Sequence, residues 1–132
     1  MRDLTAAERA FLEQPFVGVA TDLRPDGSPH CTVVWVDVDD AGVSYHTAWP
    51  RAKPRHLARD PRVSLTVVDP ADPYRWITVD GTATLVDDGA DEQIDRLATK
   101  YTGRDSYPWH KPDEQRVTVR IAPTRVESRG LD

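Results

Sequence analysis

The side chains best equipped for chemistry are concentrated in one basic stretch. Arg51, Lys53, Arg55 and Arg59 fall close together in a chain whose formal net charge is −5. Pro54 fits the first turn of a helix, where a missing amide costs little. Basic side chains at the amino end of a helix oppose its macrodipole, whereas the unpaired amides there are donors for an anion. A phosphate held at this helix start is one reading and a solvated basic face is the other; charge alone leaves both open. The four histidines, His30, His46, His56 and His110, lack paired metal-ligand spacing, so no metal is expected. If a proton accompanies the chemistry, His46, His56, His110 or bulk water could supply it, and spacing does not choose. Cys31 is the single cysteine, without a disulfide partner or an adjacent histidine motif, and reads as an inert strand residue. No nucleophile–base–acid arrangement is visible, so the catalytic residues are left unassigned.

The elements that must position these groups are mostly strands. Thr5, Ala6, Ala7 and Glu8 form a capping box ahead of Phe11 and Leu12, which predicts a short helix ending by Pro15. Two strands, over residues 16–21 and 31–38, meet at the turn formed by Arg24, Pro25, Asp26, Gly27, Ser28 and Pro29. In the second, Val33, Val34, Trp35 and Val36 follow one another, so both faces should meet something apolar, as in a barrel wall that also lines an interface. Asp39 to Gly42 turns the chain into a strand over 43–47, and a short helix carries the basic stretch. A half-buried strand follows over 62–69, with Val63, Leu65 and Val67 on one face. The next strand is long, with Ile77, Val79, Ala83 and Leu85 on one parity and Gly81 as a bend. Ile94, Leu97, Ala98 and Tyr101 recur at helical spacing before Gly103. Residues 105–112 read as an ordered aromatic loop, and Val117, Val119 and Ile121 mark a final strand. The tally is six antiparallel strands with two or three short helices, a mainly β barrel and not a parallel β–α–β array.

At 132 residues the chain is expected to be one domain, residues 1–132, since two cores would each be too small. Its 39% hydrophobic and 30% charged composition is globular. The acidic balance argues against nucleic acid as a partner, because phosphate-backbone binding needs a positive field over a whole face. No apolar run approaches the length of a membrane span, and Met1 leads into a polar segment unlike a signal peptide, so no membrane role and a cytoplasmic location are expected.

The basic stretch and its flanks resemble the phosphate motif of the pyridoxamine 5′-phosphate oxidase-like superfamily, in which a strand ending in Thr leads into an Arg-x-Lys turn. Thr47, Arg51, Lys53, Arg55 and Leu57 match it, while His56 stands at the usual Asn position and Pro50 at a common Gly position. Asp60 to Leu65, Tyr74 to Trp76, Asp80 to Ala83 and Tyr101 to Gly103 follow in the order seen in its deazaflavin-using branch. The resemblance runs from about Phe16 to Val126. It implies a six-stranded split β-barrel with short helices, assembled as a homodimer with two cofactor sites at the subunit boundary. It implies coenzyme F420 as cofactor, with FMN as the alternative, and a hydride passed between the cofactor and a small conjugated or unsaturated substrate. A non-catalytic cofactor-binding dimer is a further alternative. By the same resemblance the cofactor ring contacts Val33, Val34 and Trp35, and Trp76 or Tyr101 reaches across from the partner. For each of these aromatics, ordinary packing is the competing reading.

Overall fold

The opening helix forms where its cap predicts. In the computed structural model, which describes residues 3–132, Thr5 Oγ1 accepts from the Glu8 amide at 3.1 Å and Glu8 Oε1 accepts from the Thr5 amide at 2.9 Å. Such a cap is worth about 1 kcal/mol, and it starts α1 (Ala6–Glu13). Phe11 and Leu12 are buried, and Glu8 also accepts from the Ser128 hydroxyl at 2.7 Å, which ties α1 to the end of the chain.

The strands are β1 (Gly18–Leu23), β2 (Pro29–Val34), β3 (Val36–Asp39), β4 (Gly42–Trp49), β5 (Arg62–Asp69), β6 (Asp72–Val86) and β7 (Gln115–Arg129). Among the described residues there are seven where six are expected, because the run over 31–38 is two strands. β2 pairs with β1 and β3 pairs with β4, and the ladder changes partner at Trp35. β-propensity is continuous through Val33 to Val36, so the sequence pattern carries no sign of the exchange. The consequence is topological. The sheet order is β2-β1-β5-β6-β7-β4-β3, so β2 and β3 are opposite edges of the sheet joined through one residue. The sheet must curl to bring those edges to either side of Trp35, which shapes it into a half-barrel with β2 and β3 as its two edge strands.

The backbone groups freed at this seam are satisfied by α3 (Ala90–Thr102), which runs between Gly89 and Gly103. The Tyr101 hydroxyl accepts from the Val36 amide at 3.0 Å and donates to the Phe16 carbonyl at 2.8 Å, and Lys100 Nζ donates to the Val36 and Leu12 carbonyls. Gly81 marks the register shift between β6 and β7; a Cβ there would lie 2.2 Å from the Ala122 carbonyl oxygen, so only glycine permits this bend. Inside, Tyr45, Leu65, Ile77, Val79 and Ile121 interdigitate, and α2 (Ala52–Arg59) packs on β1, β4 and β6 with Leu57 in the core. Outside, Val17, Val19, Val33 and Val68 remain exposed, Val33 to 66%. No helix among the described residues is long and apolar enough to cross a membrane.

Candidate functional site

An open cavity of about 190 Å³ lies where the seam, α2 and α3 meet. Val33, Val34 and Trp35 come from the seam, Arg51 and Lys53 from the start of α2, His46 from β4, Ile94 from α3, Tyr107 from the loop after it and Arg116 from β7. Arg51 is the N-cap of α2 and gives its helix no side-chain cap bond, so the first amides keep their donors. Three cations border the cavity. Glu114 fixes two of them, its carboxylate oxygens taking Arg51 at 2.9 Å and Arg116 at 2.8 Å. Arg116 also lies over the Tyr107 ring at 4.6 Å. Burial, and then the Arg51 charge, lower the Lys53 pKa from the usual ammonium range, with the Asp22 charge opposing them. An anion binding beside Lys53 would relieve that repulsion.

The apolar wall is held from behind. Trp35 stacks on Tyr101 with centroids 5.4 Å apart and planes 6° from parallel, and Tyr107 meets the Trp35 ring edge-on at 6.2 Å. Since the Tyr101 hydroxyl is bonded on both sides, the indole has a fixed support.

His46 has a defined protonation state. The Gln93 amide nitrogen donates to the Asp37 carboxylate at 3.2 Å and to the Ser44 hydroxyl at 3.0 Å, and a carboxylate can only accept. Gln93 Oε1 therefore faces the other way, where it takes the Thr118 hydroxyl at 2.9 Å and His46 Nδ1 at 2.9 Å. Nδ1 must carry the hydrogen. Burial, partly offset by the Gln93 bond and reinforced by Arg116 and Arg51, pulls the His46 pKa down to about 4. At neutral pH the imidazole is uncharged with its lone pair on Nε2, which is buried and has no partner among the described residues. It can accept a ligand N–H or O–H; it has no proton to give at that atom.

Of the residues singled out in the sequence, Val33, Val34, Trp35, Arg51 and Lys53 come together around this cavity. Thr47 is buried at the end of β4 with its hydroxyl unpartnered among the described residues. Arg55 is exposed and donates back to the Arg51 carbonyl at 3.3 Å. His56 points to Asp22 and not into the cavity. Trp76 stands on the outer sheet face opposite Val68, and Tyr101 is bound within its own chain. The aromatic loop is less covered than expected, with Trp109 at 49% exposure. Sequence reading did not pick out Arg116 or Glu114 as site residues, because only the β4–β7 pairing carries them to Arg51. Gln93 went unnoticed as a polar position on an amphipathic helix.

A mainly β split barrel with a cationic, aromatic-backed cavity at its seam defines the class. The family model described as pyridoxamine 5′-phosphate oxidase matches residues 4–130, and the chain belongs to that family. A solved structure named F420 reductase is 27% identical, with a TM-score of 0.79, covering 94% of this chain and 98% of that one. A conserved hypothetical protein from Mycobacterium tuberculosis is 29% identical, with a TM-score of 0.74, over 96% of this chain and 85% of that one. A putative pyridoxamine 5′-phosphate oxidase from Listeria innocua shares the fold at 22% identity, with a TM-score of 0.68, over 90% of this chain and 92% of that one.

Proposed function

We propose that the protein is an F420-dependent oxidoreductase that works as a homodimer and passes a hydride between the deazaflavin and a small conjugated or unsaturated organic substrate. The observation that carries this reading is the convergence of Arg51, Lys53 and Arg116 with a supported Trp35 and a neutral His46 in one cavity. The cations and free α2 amides suit a phosphate, since charge-assisted hydrogen bonds there are worth roughly 1.5–3 kcal/mol each. Val34 and the braced indole suit a flat ring, and His46 Nε2 suits a ring N–H or O–H donor. Hydride chemistry is what a bound deazaflavin would supply. Binding, orientation and exclusion of water fall to the chain. Arg55, exposed beside Arg51, would meet the acidic tail that distinguishes F420 from FMN.

Size and surface support the dimer. A site enclosing a cofactor-sized ligand measures roughly 300–1,000 Å³, and the cavity of about 190 Å³ is half-open, which leaves room for a second surface to complete it. Val33 lines the cavity and also belongs to the exposed outer face. On that face it sits opposite Val19, which pairs in turn with Thr66. A second copy seated on this face covers the valines and brings its Trp76 toward the neighbouring cavity, a contact that Trp76 does not make within its own chain.

Absorbance and fluorescence of the protein as purified, then titration with F420 and with FMN, test the proposal. Saturable F420 binding at one site per chain, followed by oxidation of reduced F420 in the presence of an enone acceptor, is the expected result. Tight FMN with no F420 binding would replace the cofactor assignment, and binding without turnover of any acceptor would make the protein a carrier.

A further inference from the structure

Where α2 crosses the β1–β2 hairpin, three side chains converge that the cavity does not use. Asp22 on β1 and His30 on β2 are directly opposite in register, and His56 descends from α2. Asp22 Oδ1 lies 3.0 Å from His30 Nδ1 and 2.6 Å from His56 Nδ1, and the two rings meet edge to face at 5.0 Å. One donor atom from each residue falls within 4.8 Å of the others. Spacing along the chain carries no sign of this; the hairpin register and the helix create it.

The cluster is unbalanced as a set of hydrogen bonds alone. Asp22 is fully buried, and its second oxygen, Oδ2, has no partner among the described residues. The Tyr45 hydroxyl is likewise buried and unpartnered among them. Burial raises the Tyr45 pKa, and the Asp22 charge raises it further, so the two groups feel one another electrostatically. The ion-pair partners of Asp22 among the described residues are the two histidines. A carboxylate removed from water with half its acceptor capacity unmet is costly, and a cation at its face removes that cost.

We propose that Asp22, His30 and His56 form a divalent transition-metal site of the zinc type, pinning α2 to the β1–β2 hairpin. Two imidazole nitrogens and one carboxylate oxygen are the donor set of borderline divalent ions, and three protein ligands leave a position for water or a fourth group. Ligand bonds of about 2.0–2.2 Å place tetrahedral donors roughly 3.4 Å apart. The donors at 2.6 and 3.0 Å need only small side-chain rotations to open that space. In the metal-free form both Nδ1 atoms donate to Asp22. On binding, the ion takes the place of those two hydrogens and each neutral ring carries its proton on Nε2 instead. Because Arg51 and Lys53 belong to the same helix as His56, the ion would also fix the helix that borders the cavity. The site itself does not depend on the cofactor proposal.

The test uses untagged, chelator-stripped full-length protein titrated with zinc against a chromophoric chelator, and separately with cobalt(II). One zinc per chain is expected, together with the intense visible bands of four- or five-coordinate cobalt. H30Q and H56Q should each weaken zinc binding by about a hundredfold or more, since even residues behind the ligands cost 10–100-fold when lost. H110Q, which removes an exposed histidine outside the cluster, should leave binding unchanged. Absence of stoichiometric zinc binding by the wild type, the weak spectrum of six-coordinate aquated cobalt, or wild-type affinity in H30Q or H56Q overturns the proposal. The cobalt spectrum needs no variant, so it decides the matter even if a substitution impairs folding.

Discussion

Lowering the pH should cost this protein stability through His46, by an amount that can be worked out. The unfolded chain protonates this imidazole near the ordinary value of 6.5, whereas in the folded chain burial first, then the Arg116 and Arg51 charges against the Gln93 bond, pull it down to about 4. A base whose folded pKa is depressed favours folding while it is neutral, so the penalty begins as pH falls through 6.5 and is complete below 4. The full loss is about 3 kcal/mol, of which about 2 kcal/mol accrues between pH 7 and pH 5. Denaturant unfolding at both pH values, in wild type and His46→Gln, isolates it, because the other titrating groups are common to both proteins and cancel in the difference. The wild type should lose about 2 kcal/mol more than the variant. An NMR titration placing His46 near 6.5, or equal acid losses in the two proteins, would refute the Gln93–His46 reasoning and with it the neutral acceptor in the cavity.

Tyr101→Phe removes the hydroxyl that closes the barrel seam and leaves the Val36 amide and Phe16 carbonyl short of a partner; urea denaturation should show a loss of about 1–3 kcal/mol. Gly81→Ala drives a methyl into the Ala122 carbonyl and should cost about 3 kcal/mol or more in the same assay, with near-wild-type stability counting against the β6 bend. Val19→Asp places a charge on the exposed outer face and should convert a dimer into a folded monomer by sedimentation; a dimer that persists at micromolar concentration moves the interface elsewhere.

Much of the fold was legible because the barrel obeys local rules. Thr5 and Glu8 announce α1, Gly89 and Gly103 bound α3, and the alternation of Val63, Leu65 and Val67 over 62–69 is β5. The missed strand has a physical cause: Trp35 changes the hydrogen-bonding partner and not the β-propensity, and propensity is all that a run of valines reports. The cavity was half legible for a related reason. Arg51 and Lys53 declare themselves by local charge density and Pro54, whereas Arg116 looks like one more outward residue in an alternating strand until β4 pairs with β7. Gln93 and the Asp22–His30–His56 cluster depend on contacts between distant segments, which no short pattern encodes.

The central claim is that the start of α2 holds the phosphate of an F420-type cofactor, and titration of folded Lys53→Ala and Arg51→Ala proteins with F420 and with FMN tests it most directly. Each side chain lies at the cavity edge and outside the core, so folding should be preserved while affinity falls about ten- to a hundredfold, the loss of one charge-assisted bond. Rising salt should weaken wild-type binding more than that of either variant. Wild-type affinity for both cofactors in both variants would contradict the claim and remove the phosphate from this helix.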